Sequence, residues 1–231
     1  MSVIAVIPAR GGSKGLKKKN IADFCGQPML AYTVKAALKC AFIDKVFVST
    51  EDREIQIRAL TAGATVIPRP QELATDEATT AQVVEHAIHY SHDYYGIYAD
   101  TYIMLQPTSP LRTADDIEEA YALYDQEPLA MSVIAVCEAS SHPWKVLVKD
   151  SAGRLTPLFG RESLNVARQT LPQCYVQTGG IYIGNTSAFL REKDLYLEPM
   201  IPYFTTREKG IDIDTAMELR MAEAVYREHH K

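Results

Sequence analysis

Two stretches at opposite ends of the 231-residue chain gather residue types that do chemistry. The first is IPARGGSKGLKKKN, Ile7 to Asn20, in which Arg10, Gly11, Gly12, Ser13, Lys14 and Gly15 follow directly on a short apolar run. Glycines let backbone N–H groups approach phosphate oxygens, and Arg10 and Lys14 add charged donors, so the loop suits a small polyanion. Its spacing is not the G-x-x-x-x-G-K-[ST] of an ATPase loop, because Lys14 precedes Gly15 and Leu16 follows it. Nor is it the G-x-G-x-x-G of a dinucleotide site. The plainer alternative is a solvated basic turn, and Lys17 to Lys19 are read mainly as such a face. The second stretch is IDIDT, Ile211 to Thr215. In an extended segment side chains alternate, so Asp212 and Asp214 point the same way, an arrangement that favours Mg²⁺ held by one or two carboxylates plus substrate phosphates. The alternative makes Asp214 an ordinary acid ahead of a helix and Asp212 a turn residue. A nucleoside triphosphate needs both a cationic cradle and a metal.

Between these ends, LQPTSPLR places Gln106, Thr108, Ser109 and Arg112 around two prolines that stiffen the backbone. Polar groups on a rigid loop suit recognition of a base or sugar, and a purely structural turn is the competing reading. Arg69 and Arg168 are candidates for pairing a carboxylate or phosphate. Other signals are set aside. His86, His89 and His92 lie on a predicted helix with the outer two about 120° apart, which does not make a metal face. Ser13 and Ser109 have no histidine or nucleophile elbow near them, and Tyr94, Tyr95 and Tyr98 read as packing.

The elements that must position these residues alternate. Strands are expected at Val3–Ile7, Lys45–Thr50, Thr65–Ile67, Tyr102–Gln106, Met131–Val136 and from Gly179 to Asn185. Helices are expected over Pro28–Lys39, Asp52–Thr61 and Thr79–Ser91. Two more open on capping boxes, Thr113 with Asp116 and Thr215 with Glu218. The pattern predicts an α/β fold in three layers, a mostly parallel sheet with helices on both faces. Ligands then sit beyond the carboxyl ends of the strands, where the segments after the first four strands should converge. The chain is read as one domain, residues 1–231, with residues 138–177 as an insertion: an extension packing on a second subunit, or a long surface loop. The formal net charge of −5 argues against nucleic acid. The absence of a long apolar run argues against a membrane span, and the short first run without a basic flank is read as a cytoplasmic strand. Cys25, Cys40, Cys137 and Cys174 are too scattered for a zinc or redox motif.

The motifs IPARGGSKGLKKKN, RPQELATD, LQPTSPLR, SHPWK, RQTLPQ, GGIYI and IDIDT resemble, in order and rough spacing, the CMP-sialic acid synthetases. These are the acylneuraminate cytidylyltransferases, a family that includes relatives acting on legionaminic and similar nine-carbon acids. The resemblance implies a nucleotide-diphospho-sugar transferase fold, a homodimer, and transfer of CMP from CTP to the anomeric hydroxyl of an acidic sugar with Mg²⁺ and release of pyrophosphate. It places Arg10, Gly11, Gly12, Ser13, Lys14 and Asn20 on the CTP phosphates and ribose, Arg69 and Thr80 along the nucleotide, and Gln106 toward the base or sugar. It places Thr108, Ser109 and Arg112 with Lys145 and Arg168 near the sugar, the last two across the dimer, and Asp212 and Asp214 on the metal. Arg10, Lys14, Arg168 and Asp212 form the implied catalytic set. This chain departs from the family where many relatives have Arg-Pro-Asn and it has Val176, Gln177 and Thr178. Kdo-type or pseudaminic acid is the alternative substrate, and a non-catalytic sugar-nucleotide binding protein is the alternative of a different class.

Overall fold

Val3–Pro8 buries its first five residues because its two faces enter different layers. Val3, Ala5 and Ile7 join one apolar cluster while Ile4 and Val6 join another, the period-two alternation of a strand covered on both sides. The protein, seen in a computed structural model, is described over residues 1–13, 15–127 and 129–229. Its strands are β1 (Val3–Pro8), β2 (Asp23–Phe24), β3 (Gln27–Pro28), β4 (Lys45–Thr50), β5 (Thr65–Pro68), β6 (Thr101–Met104), β7 (Ser132–Glu138), β8 (Leu147–Lys149), β9 (Leu155–Pro157), β10 (Tyr175–Asn185) and β11 (Met200–Phe204). Its α-helices are α1 (Met29–Lys39), α2 (Arg53–Ala62), α3 (Thr80–Tyr95), α4 (Ala114–Gln126), α5 (Arg161–Asn165), α6 (Thr186–Glu192) and α7 (Ala216–His229).

Seven strands form the main sheet in the order β11-β7-β10-β6-β1-β4-β5. All neighbouring pairs are parallel except those of β10, which runs antiparallel to β6 and β7. Leu30 and Val34 of α1, Ile55 and Ala59 of α2 and Ile117 and Ala120 of α4 cover one face. Val84, Ala87 and Ile88 of α3 and Phe189 of α6 cover the other. The expected three-layer α/β architecture is therefore present. The strand ladder takes up Tyr175 to Gln177, so the segment outside the sheet runs 139–174. It carries the β8–β9 hairpin and α5. Helix α6 and edge strand β11 are not anticipated by the sequence pattern, because a short helix and a strand holding Pro202 at a sheet edge lack a clean period.

Both expected capping boxes form. Thr215 Oγ1 accepts from Glu218 N at 3.4 Å, and Glu218 Oε2 accepts from Thr215 N at 2.8 Å. Asp116 does the same for Thr113 and also receives Lys209 Nζ at 2.7 Å and Tyr203 OH at 2.9 Å, tying α4 to β11 and the segment beyond it. Burial would push the Asp116 carboxyl up. The Lys209 ammonium, the Thr113 donors and the Tyr203 hydroxyl outweigh that and hold it below the usual carboxylate range. Arg112 adds a favourable charge and Glu119, which also accepts from Tyr203, an opposing one. A depressed folded-state pKa gives stability that is full above the unfolded pKa, about 3.9, and lost as pH falls through the folded value. Asp116→Asn is therefore expected to lower the melting temperature at pH 7 and to lose part of the acid-induced decline below about pH 4, read by thermal melts across that range.

Candidate active site

The carboxyl ends of β1, β5 and β6 open on one cavity of about 580 Å³, lined among others by Arg10, Gly12, Ser13, Lys19, Arg69, Thr80, Gln106, Thr108, Asp212 and Asp214. The two ends of the sequence thus meet, on opposite walls. The first wall is the loop after β1. Asn20, almost fully buried, donates from Nδ2 to the Arg10 carbonyl at 2.9 Å, so it shapes the loop from beneath. Glu51 Oε1 accepts from Gly11 N at 2.7 Å, and a Cβ at Gly11 would strike Asp52 Oδ2 at 2.7 Å. Only glycine lets the loop turn that tightly against the end of β4. Asp52 meanwhile caps α2, accepting from Glu54 N and Ile55 N. Arg10 reaches across the cavity mouth to Asp76 Oδ1 at 2.8 Å and the Thr75 carbonyl at 2.9 Å. Lys14 lies outside the described residues.

Arg69 is nearly buried, and its Nε and Nη2 donate to Ser49 Oγ at 3.1 Å and Ser49 O at 2.7 Å. Burial draws its pKa down to about 10, with Glu51 opposing that shift and Arg10 adding to it, so the guanidinium remains charged at neutral pH. The segment after β4 therefore serves the cleft by holding Gly11 and Arg69, without lining it.

The opposite wall is built by IDIDT. Ile213 is fully buried among Phe24, Met29, Leu111 and Ala222, and its N–H donates to the Thr108 carbonyl at 2.9 Å. Asp212 and Asp214 flank it and both line the cavity, as alternation requires. Surrounding protein pushes the Asp212 carboxyl up despite its open face, the Thr108 hydroxyl pulls it down, and the Asp214 charge raises it again. Lys19 forms an ion pair with Asp214 across the cleft. Lys19 is thus a cleft residue and not part of a solvated basic face. The short 3₁₀ turn Lys19–Ile21 that aims it is not evident from a run of three lysines.

The QPTSPLR loop divides by role. Gln106 and Thr108 line the cavity, whereas Ser109 and Arg112 are buried beneath it. Ser109 Oγ donates to the Thr178 carbonyl at 3.2 Å, and Arg112 Nη1 donates to the Gly180 carbonyl. The expected sugar contacts of Ser109 and Arg112 are accordingly replaced by a supporting role: a side chain sealed from the cleft cannot reach a ligand. Lys145 is likewise engaged, its Nζ donating to the carbonyls of Ser163, Leu164 and Val166 at 3.2, 2.7 and 2.6 Å, which closes the end of α5. Arg168 lines a second cavity of about 200 Å³ with Glu138, His142 and Cys174. Within one chain neither Lys145 nor Arg168 joins the main cleft lining.

Among the described residues no three His, Cys, Asp or Glu side chains are placed to hold a metal by themselves. Two carboxylates at the edge of a cationic cavity, close enough for the Asp214 charge to be felt at Asp212, do suit a hard divalent ion whose other ligands come from phosphate and water.

A mostly parallel α/β sheet with a cleft at its strand ends, cationic on one wall and carboxylate on the other, belongs to the class of α/β proteins whose site suits a phosphorylated ligand. The chain belongs to the cytidylyltransferase family, whose model matches residues 4–219. It is 33% identical over 220 residues, 95% of its length, to the N-acylneuraminate cytidylyltransferase of Escherichia coli O18:K1:H7, and it spans 51% of that protein. It is 32% identical over 226 residues to the CMP-N,N'-diacetyllegionaminic acid synthase of Legionella pneumophila, covering 96% of this chain and 95% of the other. The fold is also that of CMP:2-keto-3-deoxy-manno-octonic acid synthetase solved with CTP. That structure superposes with a TM-score of 0.73 at 20% identity over 99% of this chain and 100% of that one.

Proposed function

We propose that the protein transfers CMP from CTP to the anomeric hydroxyl of a nonulosonic, sialic-acid-like sugar and releases pyrophosphate. The observation that carries this reading is the meeting of the glycine-rich cationic loop with Asp212 and Asp214 across one cavity, in a chain of the cytidylyltransferase family. In this reading the bond from the sugar oxygen to the α-phosphorus forms as the bond from that phosphorus to the pyrophosphate oxygen breaks. The hydroxyl proton passes to solvent. Negative charge accumulates on oxygens already crowded with it, so fixed cations and N–H donors supply most of the stabilisation. Arg10, Ser13, Lys19 and the N–H groups of Gly12 and Ser13 take the phosphates, while Gly11 N–H stays on Glu51. Arg10 and Lys19 exchange their exposed ion pairs with Asp76 and Asp214 for them, at a cost of at most about 1 kcal/mol each. Arg69, Thr80 and Gln106 line the nucleotide path. Asp212 and Asp214 would hold Mg²⁺, which when bound supplies charge neutralisation of the triphosphate.

The deciding experiment incubates the protein with CTP, Mg²⁺ and a panel of N-acetylneuraminic, diacetyllegionaminic, pseudaminic and Kdo-type acids and measures pyrophosphate. Turnover with one nine-carbon acid is expected. CTP binding without turnover on any acid would leave a sugar-nucleotide binding protein instead.

The segment 139–174 exposes Leu155 to 68% and Phe159 to 56%, with Leu147, Leu158 and Leu164 also open to solvent. We propose that this apolar surface packs on a second copy and carries Arg168 toward the partner's cleft, giving a homodimer. Leu155→Glu combined with Phe159→Glu is expected to yield a monomer by sedimentation velocity, with turnover reduced at least ~10-fold.

A further inference from the structure

We propose that Asp76 is a positioning residue that acts through Arg10: in the empty cleft its carboxylate occupies the guanidinium that later grips phosphate, so CTP binds in competition with it. This deepens the cytidylyl-transfer reading and rests on it.

The contact joins two rims of the cavity whose backbones are fixed independently. On the first rim, the Arg10 carbonyl accepts from buried Asn20, and the next N–H, that of Gly11, is held by Glu51 Oε1. The second rim is the chain between β5 and α3. Arg69 N–H ties its start to the Thr50 carbonyl at 3.1 Å, and the 3₁₀ turn Gln71–Leu73 is closed by Leu73 N to Pro70 O and Ala74 N to Gln71 O, both at 3.0 Å. Its end enters α3 through a capping box, Thr79 Oγ1 accepting from Gln82 N and Gln82 Oε1 from Thr79 N. With both backbones anchored, the Arg10 side chain is the part that can change partner. Its Nη1 donates to Thr75 O at 2.9 Å and its Nη2 meets Asp76 Oδ1 at 2.8 Å. One guanidinium fork is thus taken by two acceptors of the opposite rim. A phosphate group offers two oxygens to the same fork and can replace both at once.

Charge makes the contact conditional on an empty site. Arg10 lies near enough to Arg69 for its charge to oppose that of the buried guanidinium. The Asp76 carboxylate offsets part of that repulsion while no anion is bound. A triphosphate offsets more of it, with a larger charge and more oxygens, so Arg10 turns from Asp76 to CTP. Both partners of the ion pair are partly open to solvent, at 34% and 50%, which keeps the contact weak enough to yield. Asp76 lines the cavity and therefore looks like a ligand-binding residue, yet its hold on Arg10 weakens CTP binding.

The test measures dissociation constants for CTP with Mg²⁺ and no sugar, by titration calorimetry at low salt, for the wild-type chain, Asp76→Asn, Arg10→Gln and the double variant. Asp76→Asn is expected to tighten CTP about 3- to 5-fold, because the exposed ion pair no longer has to be broken. Asp76→Ala should act in the same direction. A residue that only supported the rim would weaken binding when replaced. Removing a negative charge near a polyanion could also tighten it, and the double-mutant cycle separates the two causes. In the Arg10→Gln background the gain from Asp76→Asn is expected to shrink to about 1.5-fold or less. Thermal midpoints within a few degrees of the wild type keep folding out of the comparison. Unchanged or weaker CTP binding by both Asp76 variants, or a gain of the same size with and without Arg10, would overturn the inference while CTP binding by the wild type leaves the functional reading standing. Absence of CTP binding by the wild type would overturn both.

Discussion

Replacing Asp212 and Asp214 together by asparagine should reduce pyrophosphate release by roughly 10²- to 10³-fold or more without lowering the melting temperature. The two halves of that expectation come from different atoms of one short segment. Ile213 does the packing, fully buried in the cluster with Phe24, Met29, Leu111 and Ala222 and bonded through its N–H to the Thr108 carbonyl. Both aspartates face the cavity. The sign of the stability effect follows from the raised Asp212 carboxyl. A carboxyl whose pKa is higher folded than unfolded binds its proton more tightly in the folded state, so its ionisation weakens the fold at neutral pH. The amide removes that penalty. Asp214→Asn loses an exposed ion pair with Lys19 worth at most about 1 kcal/mol. Turnover that survives the double change would sink the metal assignment, and a large fall in melting temperature would show that the carboxylates are structural.

The second large effect is expected from one methyl group. Gly15→Ala should cut kcat/KM for CTP about 100-fold, because the added Cβ would run into the Asp214 backbone carbonyl. That carbonyl cannot rotate away as the end of a side chain could, so the basic loop and the carboxylate wall must separate. Displacements near 1 Å in a reacting geometry cost about this much. The change removes no charged group, so unaltered kinetics would mean that the distance between the walls is not what sets the rate. A melting temperature within a few degrees of the wild type would keep the effect at the site.

Much of this site is legible in the amino-acid sequence. Arg10, Gly11, Gly12 and Ser13 follow a buried strand, and two aspartates alternate with isoleucines, so local spacing alone predicts a phosphate loop and a shared carboxylate face. Ser109 and Arg112 show where local spacing stops being informative. Their residue types suit a ligand, but the turn they occupy directs them inward, where they hold Thr178 and Gly180. Lys19 errs the other way: in the sequence it is the last of three lysines, and in the fold it faces Asp214. Lys145 has the type of a sugar contact and is engaged by three carbonyls of its own segment.

The alternating α/β layers, the helix starts at Thr113 and Thr215, and the two chemical motifs at the chain's ends are all encoded locally, because they depend on hydrogen bonds and periodicities that close within a few residues. Other features came from the assembled fold: which polar side chains face the cleft, the bulge of β10 between Gln177 and Tyr182, and the approach of Gly15 to Asp214. They depend on the packing of segments up to 199 residues apart, from Gly15 to Asp214. No local pattern encodes such contacts, since each is fixed by the combined position of two elements rather than by the residues of either one.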